Sequence, residues 1–471
     1  MKKKVSALLM VGALLVASFS FARAQASQGS TSTSILVQNL STSQASVVVD
    51  FYEGTAGTNT GSKSVADLCG ECSTTFDQRY ASGDPGIDPF QGAAIVSSDQ
   101  PIGAVVQEVR TGGSAGVNSY EAYNGISQPA MNLKAPLILR GVTSAGKVWN
   151  TTMSIQNTSL TASANVTVTF TPDPNVGLGT ADVLVDSIDP GGSWFLDQAT
   201  HTALGTFFGS AEIESDQGVA VVVNSGTTDG SGLIAYPTYT AGSTEVYLPG
   251  AMKNILSMGD NYFTSLTIVN MGTSPVTVTV DYQELSGTAG APYDVVVDTA
   301  TTIDMRTDAN ITTSSLFGAV KLTATGGTIA AMLNTRGDDA VTGAMSYATT
   351  YGGFSSGSDT VFAPYLLKYI PSAGYNWSTS LLIQNLDVAS GPITVTITYN
   401  EDPSFGTDSF VSQIVVDEFA SLDLRNDVNL TEATFYGGAK LECSRPFGVA
   451  VLVRGSNQSG DALSSYLGIA P

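Results

Sequence analysis

One hairpin signature recurs four times and constrains this chain more than any other feature. It reads Ile35-Leu36-Val37-Gln38-Asn39, then Met153-Ser154-Ile155-Gln156-Asn157, then Leu266-Thr267-Ile268-Val269-Asn270, then Leu382-Ile383-Gln384-Asn385. After each asparagine the chain turns and re-enters a β-branched run: Val47 to Phe51, Val166 to Phe170, Val276 to Tyr282 and Ile393 to Tyr399. In Val276-Thr277-Val278-Thr279-Val280 the valines fall on one face and the threonines on the other, as in a half-buried strand. The asparagines recur about every 115 residues, a domain-sized period that predicts a row of beads rather than the superhelix of shorter repeats. Each turn asparagine is expected to bond local backbone.

A second signature begins at Gly92, Gly209, Gly318 and Gly438 and leads through a short turn into another apolar strand. Each block then closes on a tyrosine, read as Tyr120, Tyr236, Tyr347 and Tyr466. Short strands at this spacing, without amphipathic helices between them, predict antiparallel sandwiches. The expected fold class is all-β: four tandem antiparallel β-sandwich (Ig-like) domains after a cleaved signal peptide. The boundaries fall at 1–24 for the leader, then 25–130, 131–243, 244–357 and 358–471. The asparagine-centred hairpin, best seen in Leu266 through Tyr282, resembles the CARDB-like and related Ig-like modules of bacterial surface proteins. That resemblance implies a sandwich fold and an adhesive or scaffolding role, and it assigns no ligand residue.

The leader is read from Lys2, Lys3 and Lys4, an apolar run from Val5 to Phe21, and the small-residue sites Ala22-Arg23-Ala24 and Ala24-Gln25-Ala26. The mature chain is expected to begin at Gln25 or Ser27, secreted and extracellular or at the cell surface. No later apolar run has the length of a bilayer span, so membrane insertion is not expected. The net charge of −22 repels phosphate backbones, which argues against nucleic acid as a partner. With 42% hydrophobic and 13% charged residues, each domain has enough apolar surface to bury a core.

A further segment stands between blocks: Pro136 to Trp149, Leu248 to Phe263, and Pro364 to Trp377. It occurs three times for four blocks, so one terminal module is short of a strand. If the segment belongs to the following block, the first module is incomplete; if to the preceding block, the last is. An uncovered sheet edge invites strand addition by another chain. The competing reading is that the insertion from Lys63 to Phe90 covers the gap.

Little of the sequence suggests chemistry. The single histidine, His201, does not recur between blocks, which argues against a histidine triad or a His-rich metal centre. Cys69 and Cys72 read as a local disulfide in an exported protein, the redox-motif alternative lacking a nearby βαβ pattern; Cys443 reads as a small buried residue, with an intermolecular bridge as the alternative for a thiol left over. Asp304-Met305-Arg306-Thr307-Asp308-Ala309-Asn310 and Asp423-Leu424-Arg425-Asn426-Asp427-Val428-Asn429 share an Asp-x-Arg-x-Asp-x-Asn spacing. Calcium is the one candidate cofactor, with Asp304, Asp308, Asn310, Asp423, Asp427 and Asn429 as its ligands. Against it, the arginine takes a would-be ligand position, and a turn closed by an Asp–Arg contact is the competing reading. Trp149, Trp377 and Phe263 read as one shared packing position. Arg336-Gly337-Asp338 matches an attachment tripeptide, of a length that arises by chance.

These observations lead to the expectation of a protein that is not an enzyme. It would be a non-catalytic structural component of a filament, stalk or surface layer, polymerising with itself or with other surface components. The alternative is an adhesin whose loops bind glycans or protein.

Overall fold

The computed structural model describes residues 15–18, 30–78, 90–113, 116–257, 259–456 and 461–471. Of residues 1–24, read above as a leader, only the backbone of residues 15–18 lies within them, and Arg79, the arginine of the first block's Asp77-Gln78-Arg79, lies outside. Among the described residues the chain is all-β, with three single-turn 3-10 helices and no α-helix.

The strands fall into four successive sets. The first contains β1 (Leu15–Ser18), β2 (Ser30–Asn39), β3 (Ala45–Glu53), β4 (Thr58–Leu68), β5 (Ser73–Asp77), β6 (Gly92–Ser98), β7 (Ile102–Thr111) and β8 (Ser119–Asn124). The second contains β9 (Ala130–Ser144), β10 (Lys147–Asn157), β11 (Ala164–Pro172), β12 (Asp182–Ile188), β13 (Ser193–Asp197), β14 (Phe207–Thr227) and β15 (Leu233–Pro237). The third contains β16 (Glu245–Lys253), β17 (Ile255–Ser257), β18 (Asp260–Asn270), β19 (Val276–Ser286), β20 (Tyr293–Val297), β21 (Ala300–Asp304), β22 (Leu316–Thr325), β23 (Ile329–Asp339) and β24 (Met345–Gly352). The fourth contains β25 (Ser358–Lys368), β26 (Ile370–Ser372), β27 (Tyr375–Asn385), β28 (Ile393–Glu401), β29 (Ser409–Val416), β30 (Phe419–Asp423), β31 (Phe435–Ser456) and β32 (Leu463–Leu467).

One strand order recurs. In the first set β1-β6-β3-β4 and β5-β2-β7-β8 are the two sheets; in the third, β16-β22-β19-β20 and β21-β18-β23-β24. In the second and fourth sets a single long strand, β14 or β31, passes from one sheet into the other. The segment between blocks therefore belongs with the set that follows it, because β9, β16 and β25 pair with β14, β22 and β31. The corresponding edge in the first set, along β6, is paired by β1.

Backbone proximity explains the recurring glycine. A methyl on Gly92, Gly209, Gly318 or Gly437 would overlap a carbonyl oxygen of the neighbouring strand, that of Tyr52, Thr171, Gln283 or Asn400. The register thus makes Gly437, not Gly438, the fourth member of the signature. It likewise corrects the closing tyrosines: Tyr123, Tyr236, Tyr351 and Tyr466 are the equivalent positions, opposite Val106, Val223, Leu333 and Val451. Tyr236 donates to the Leu137 carbonyl at 2.6 Å, Tyr466 to that of Tyr365 at 2.7 Å, and Tyr351 to that of Pro249. Each such tyrosine ties the last strand of its set to the first.

The expected row of beads is not what forms. The strands β8, β15, β24 and β32 adjoin one another in a closed circuit, β8 against β15 and β32, and β24 against the same two. Each set turns an apolar outer face onto the set before it: Val222 and Ala235 join the first set's core, and Met332, Met345 and Ala348 the second's. The first set closes the circuit against the fourth, with Tyr120 stacked edge-on to Trp377 at 4.6 Å and to Tyr375 at 5.7 Å. The physical reason lies in strands such as β7 and the second half of β14, which are buried on both faces. Burying a second apolar face removes more area from water, at about 25 cal/mol per Å².

Candidate functional site

The four asparagines are fully buried connectors. Asn157 donates from Nδ2 to the carbonyls of Ala162 (2.7 Å), Ile188 (3.1 Å) and Asp189 (3.2 Å), while its Oδ1 accepts from the Ser159 N–H at 3.0 Å. Asn39, Asn270 and Asn385 repeat this pattern. One side chain thereby fixes two turns, including in the first set the turn closed by the Cys69–Cys72 disulfide. Cys443 is half-buried rather than fully enclosed.

The Asp-x-Arg-x-Asp-x-Asn residues do not converge on a common point. Asp304 holds Arg306 at 2.6 Å, and Asp423 holds Arg425 with Nε to Oδ2 at 2.9 Å. Its hydrogen bonds to the Asp304 carboxylate hold the Arg306 guanidinium above its ordinary value. Asp308 instead accepts from the hydroxyls of Tyr282 and Tyr293, each at 2.7 Å, and Asp427 from Tyr399 at 2.9 Å. Asn310 and Asn429 each donate their backbone N–H to the aspartate two residues before them. The two aspartates of each motif are thus spent on different partners. Among the described residues no group of three His, Cys, Asp or Glu is arranged to hold a metal. In the second set Asp197 occupies the register of Asp304 and Asp423. There the ring of Phe170 lies edge-on to His201, which bonds Asp182 at 2.7 Å in place of the Tyr–Asp pair.

These motifs line grooves between consecutive sets. The groove between the second and third, about 280 Å³, is bordered by Leu139, Trp149 and Phe208 on one side and by Asp304, Arg306 and Arg336 on the other. Its counterpart between the third and fourth, about 240 Å³, has Met252, Tyr262 and Phe317 facing Asp423, Arg425 and Arg454. A smaller one of about 120 Å³ separates Leu367 and Trp377 from Asp77 and Gln107. Register makes Tyr262, not Phe263, the equivalent of Trp149 and Trp377. Phe263 is instead the floor on which Arg306 (4.1 Å) and Arg336 (4.7 Å) lie. Arg336 is also held by Asp338 at 2.6 Å, so the attachment-like tripeptide is folded into the groove wall.

Where the four sets meet, three buried carboxyls stand among the polar groups. Asp461 accepts from the Leu233 N–H at 2.9 Å and the Ala348 N–H at 2.8 Å, and its carbonyl accepts from the Tyr120 N–H at 2.9 Å. One residue of the fourth set thus touches the other three. Glu121 accepts from Thr349 (2.8 Å), the Ser465 N–H (3.2 Å) and the Ala122 N–H (2.8 Å). Burial holds both carboxyls well above their usual range. Glu108, bonded by Asn224 at 2.9 Å, is pushed up to about 7 by burial, against the charge of Arg110. All three carboxyls are shielded from solvent. Sequence reading passed over them because no local motif marks them; their burial follows from ring closure.

No family model matches the chain, and no curated protein matches it. Among solved structures, "Crystal Structure of Thermotoga maritima 1070" is similar at 16% identity and a TM-score of 0.21, covering 24% of this chain and 96% of that one.

Proposed function

We propose that this chain is a non-catalytic structural component of an extracellular or cell-surface assembly. In this reading four tandem Ig-like sandwiches, preceded by a signal peptide, act as one rigid block, and copies associate through open sheet edges. The observation that carries the reading is the row of edge strands β12, β20 and β29, each terminal in its sheet. Their outward valines are left to solvent: Val185 is 70% exposed, Val296 62% and Val415 67%. Flat edges bearing exposed β-branched residues pair readily with other chains. The first set's edge, β4, carries Lys63 instead, a charge of the kind that blunts an edge.

The test is negative-stain electron microscopy of the mature chain beside the triple variant Val185→Lys, Val296→Lys, Val415→Lys. Ordered filaments or sheets that vanish in the variant are the expected outcome. A monodisperse single ring at every salt concentration and pH would overturn the proposal.

A second reading, an adhesin for glycans or protein, is favoured by the recurrence of a groove with aromatic residues on one wall and Asp and Arg on the other. Glycan-array binding lost in Arg306→Ala and Arg425→Ala would favour it over assembly.

A further inference from the structure

In the second, third and fourth sets the first strand occupies one edge by a fixed register. Leu133 pairs Ile213 and Ala135 pairs Ala211; Val246 pairs Leu322 and Leu248 pairs Val320; Val361 pairs Leu441 and Ala363 pairs Ala439. Each inward pair, Leu133 with Ala135 and its two counterparts, is buried. Counting along the chain, Leu133, Val246 and Val361 each stand 24 residues before the bolt asparagine of their set.

The first set follows the same count. Leu15 stands 24 residues before Asn39 and pairs Val96, while Ala17 pairs Ala94. The register against β3 shows Ala94 and Val96 to be the equivalents of Ala211 and Ile213, opposite Phe51 and Val49 as those are opposite Phe170 and Val168. The apolar run at the N-terminus therefore continues the repeat without insertion or deletion. The edge it meets is apolar: Ala93, Ala94 and Val96 are fully buried and Ile95 nearly so. A buried edge whose backbone groups lose their pairing partner carries the cost of unsatisfied N–H and C=O groups.

We propose that the edge of β6 is a strand-acceptor site whose occupant is the chain's own N-terminal segment around Leu15–Ser18. This segment then serves twice, as the leader read from the sequence and as the eighth strand of the first set. Cleavage after Ala24 or Ala26 removes that strand and leaves an acceptor for an extended segment with a large apolar residue and a small one two positions later. The inference stands apart from the assembly reading, which rests on β12, β20 and β29 at other edges.

The experiment compares hydrogen exchange in three samples: the full chain, the chain beginning at Gln25, and the latter with a synthetic peptide of residues 11–24. The amides of Ala93 to Val96 are expected to exchange at least tenfold faster without the segment and to regain protection with the peptide, but not with an Ala17→Asp peptide. Amides of β14, β22 and β31 serve as the internal control. Equal protection of β6 in the shortened chain without peptide would overturn the proposal. Should the shortened chain unfold throughout, the full chain with Val16→Cys and Ile95→Cys decides, since those residues pair directly. A disulfide between them supports the site, and its absence under oxidising conditions sinks it.

Discussion

At the scale of single residues, the asparagine bolt and the buried carboxyls work by opposite logic. Asn157, itself fully buried, uses its donors and its acceptor on backbone groups of two turns that are buried or partly so. Asn157→Ala takes a donor from the carbonyls of Ala162, Ile188 and Asp189, the last of which keeps the Gly192 N–H, and an acceptor from the Ser159 N–H; a group left without a partner costs about 1–3 kcal/mol. Screening by relaxation brings the expected loss to about 2–4 kcal/mol, read as a fall in urea midpoint at constant slope. A change below about 0.5 kcal/mol would mean the turns hold themselves. Glu121 carries its cost in the native state. Its folded value lies well above the ordinary 4.5 because burial disfavours the carboxylate, with Asp461 adding repulsion. A raised carboxyl binds its proton more tightly when folded, so its contribution is whole below about pH 4.5 and is lost as pH rises through the folded value. Each pH unit in that window costs about 1.4 kcal/mol per group. The native chain should therefore melt lower at pH 8 than at pH 5, and Glu121→Gln, which cannot ionise, should show a smaller fall. Parallel melting curves for the two proteins would refute the assignment.

At the scale of elements, stability depends on close approach between neighbouring strands. Gly318 lies so near the Gln283 carbonyl that a Cβ has no room, and backbone cannot swing aside as a side chain does. Gly318→Ala should force β19 and β22 apart and cost at least about 2 kcal/mol, whereas alanine at Gly272, where a Cβ would make only an ordinary contact with the Asn270 side chain, should cost little; comparing their denaturation midpoints checks this. Much of this level was legible in the sequence. Alternating runs such as Val276 to Val280 marked half-buried strands, because a period of two survives whatever packs on the sheet. The assignments that slipped were offsets of one to four residues: Gly438 for Gly437, Phe263 for Tyr262, Tyr120 for Tyr123 and Tyr347 for Tyr351. Tyr120 and Tyr347 lie close before Tyr123 and Tyr351, and only the pairing of β8 with β7 and of β24 with β23 decides which of them stands opposite Val106 and Leu333. The ring closure had a signal too. Val219-Ala220-Val221-Val222-Val223 and Val449-Ala450-Val451-Leu452-Val453 are unbroken apolar runs, the pattern of strands covered on both faces. That pattern shows a second face is buried without naming what covers it. The groove residues were visible only in part for the same reason: Asp304 and Arg306 form a local pair, but their aromatic floor, Phe263, comes from a distant stretch of chain.

At the scale of the whole molecule, the closed circuit makes the four strand sets depend on one another. Asp461 concentrates that dependence, since its side chain receives N–H groups from the second and third sets and its carbonyl one from the first. Asp461→Ala removes the acceptors for Leu233 and Ala348 while keeping the backbone contact to Tyr120. Two buried N–H groups left unpaired cost together about 2–5 kcal/mol. Because the cost falls at the junction and not within any one set, the expected signature is spatial. Amides of β8, β15, β24 and β32 should exchange faster together, and the radius of gyration from X-ray scattering should rise as the circuit opens, while the inner strands β3, β11, β19 and β28 keep their protection. Asp461→Asn retains one acceptor oxygen and removes the ionisation, so it should fall between the native chain and the alanine variant at pH 5 and approach the native chain at pH 8, where burial of the carboxyl is most costly. If the four sets were independent, Asp461→Ala would loosen β32 and leave β8, β15 and β24 unchanged.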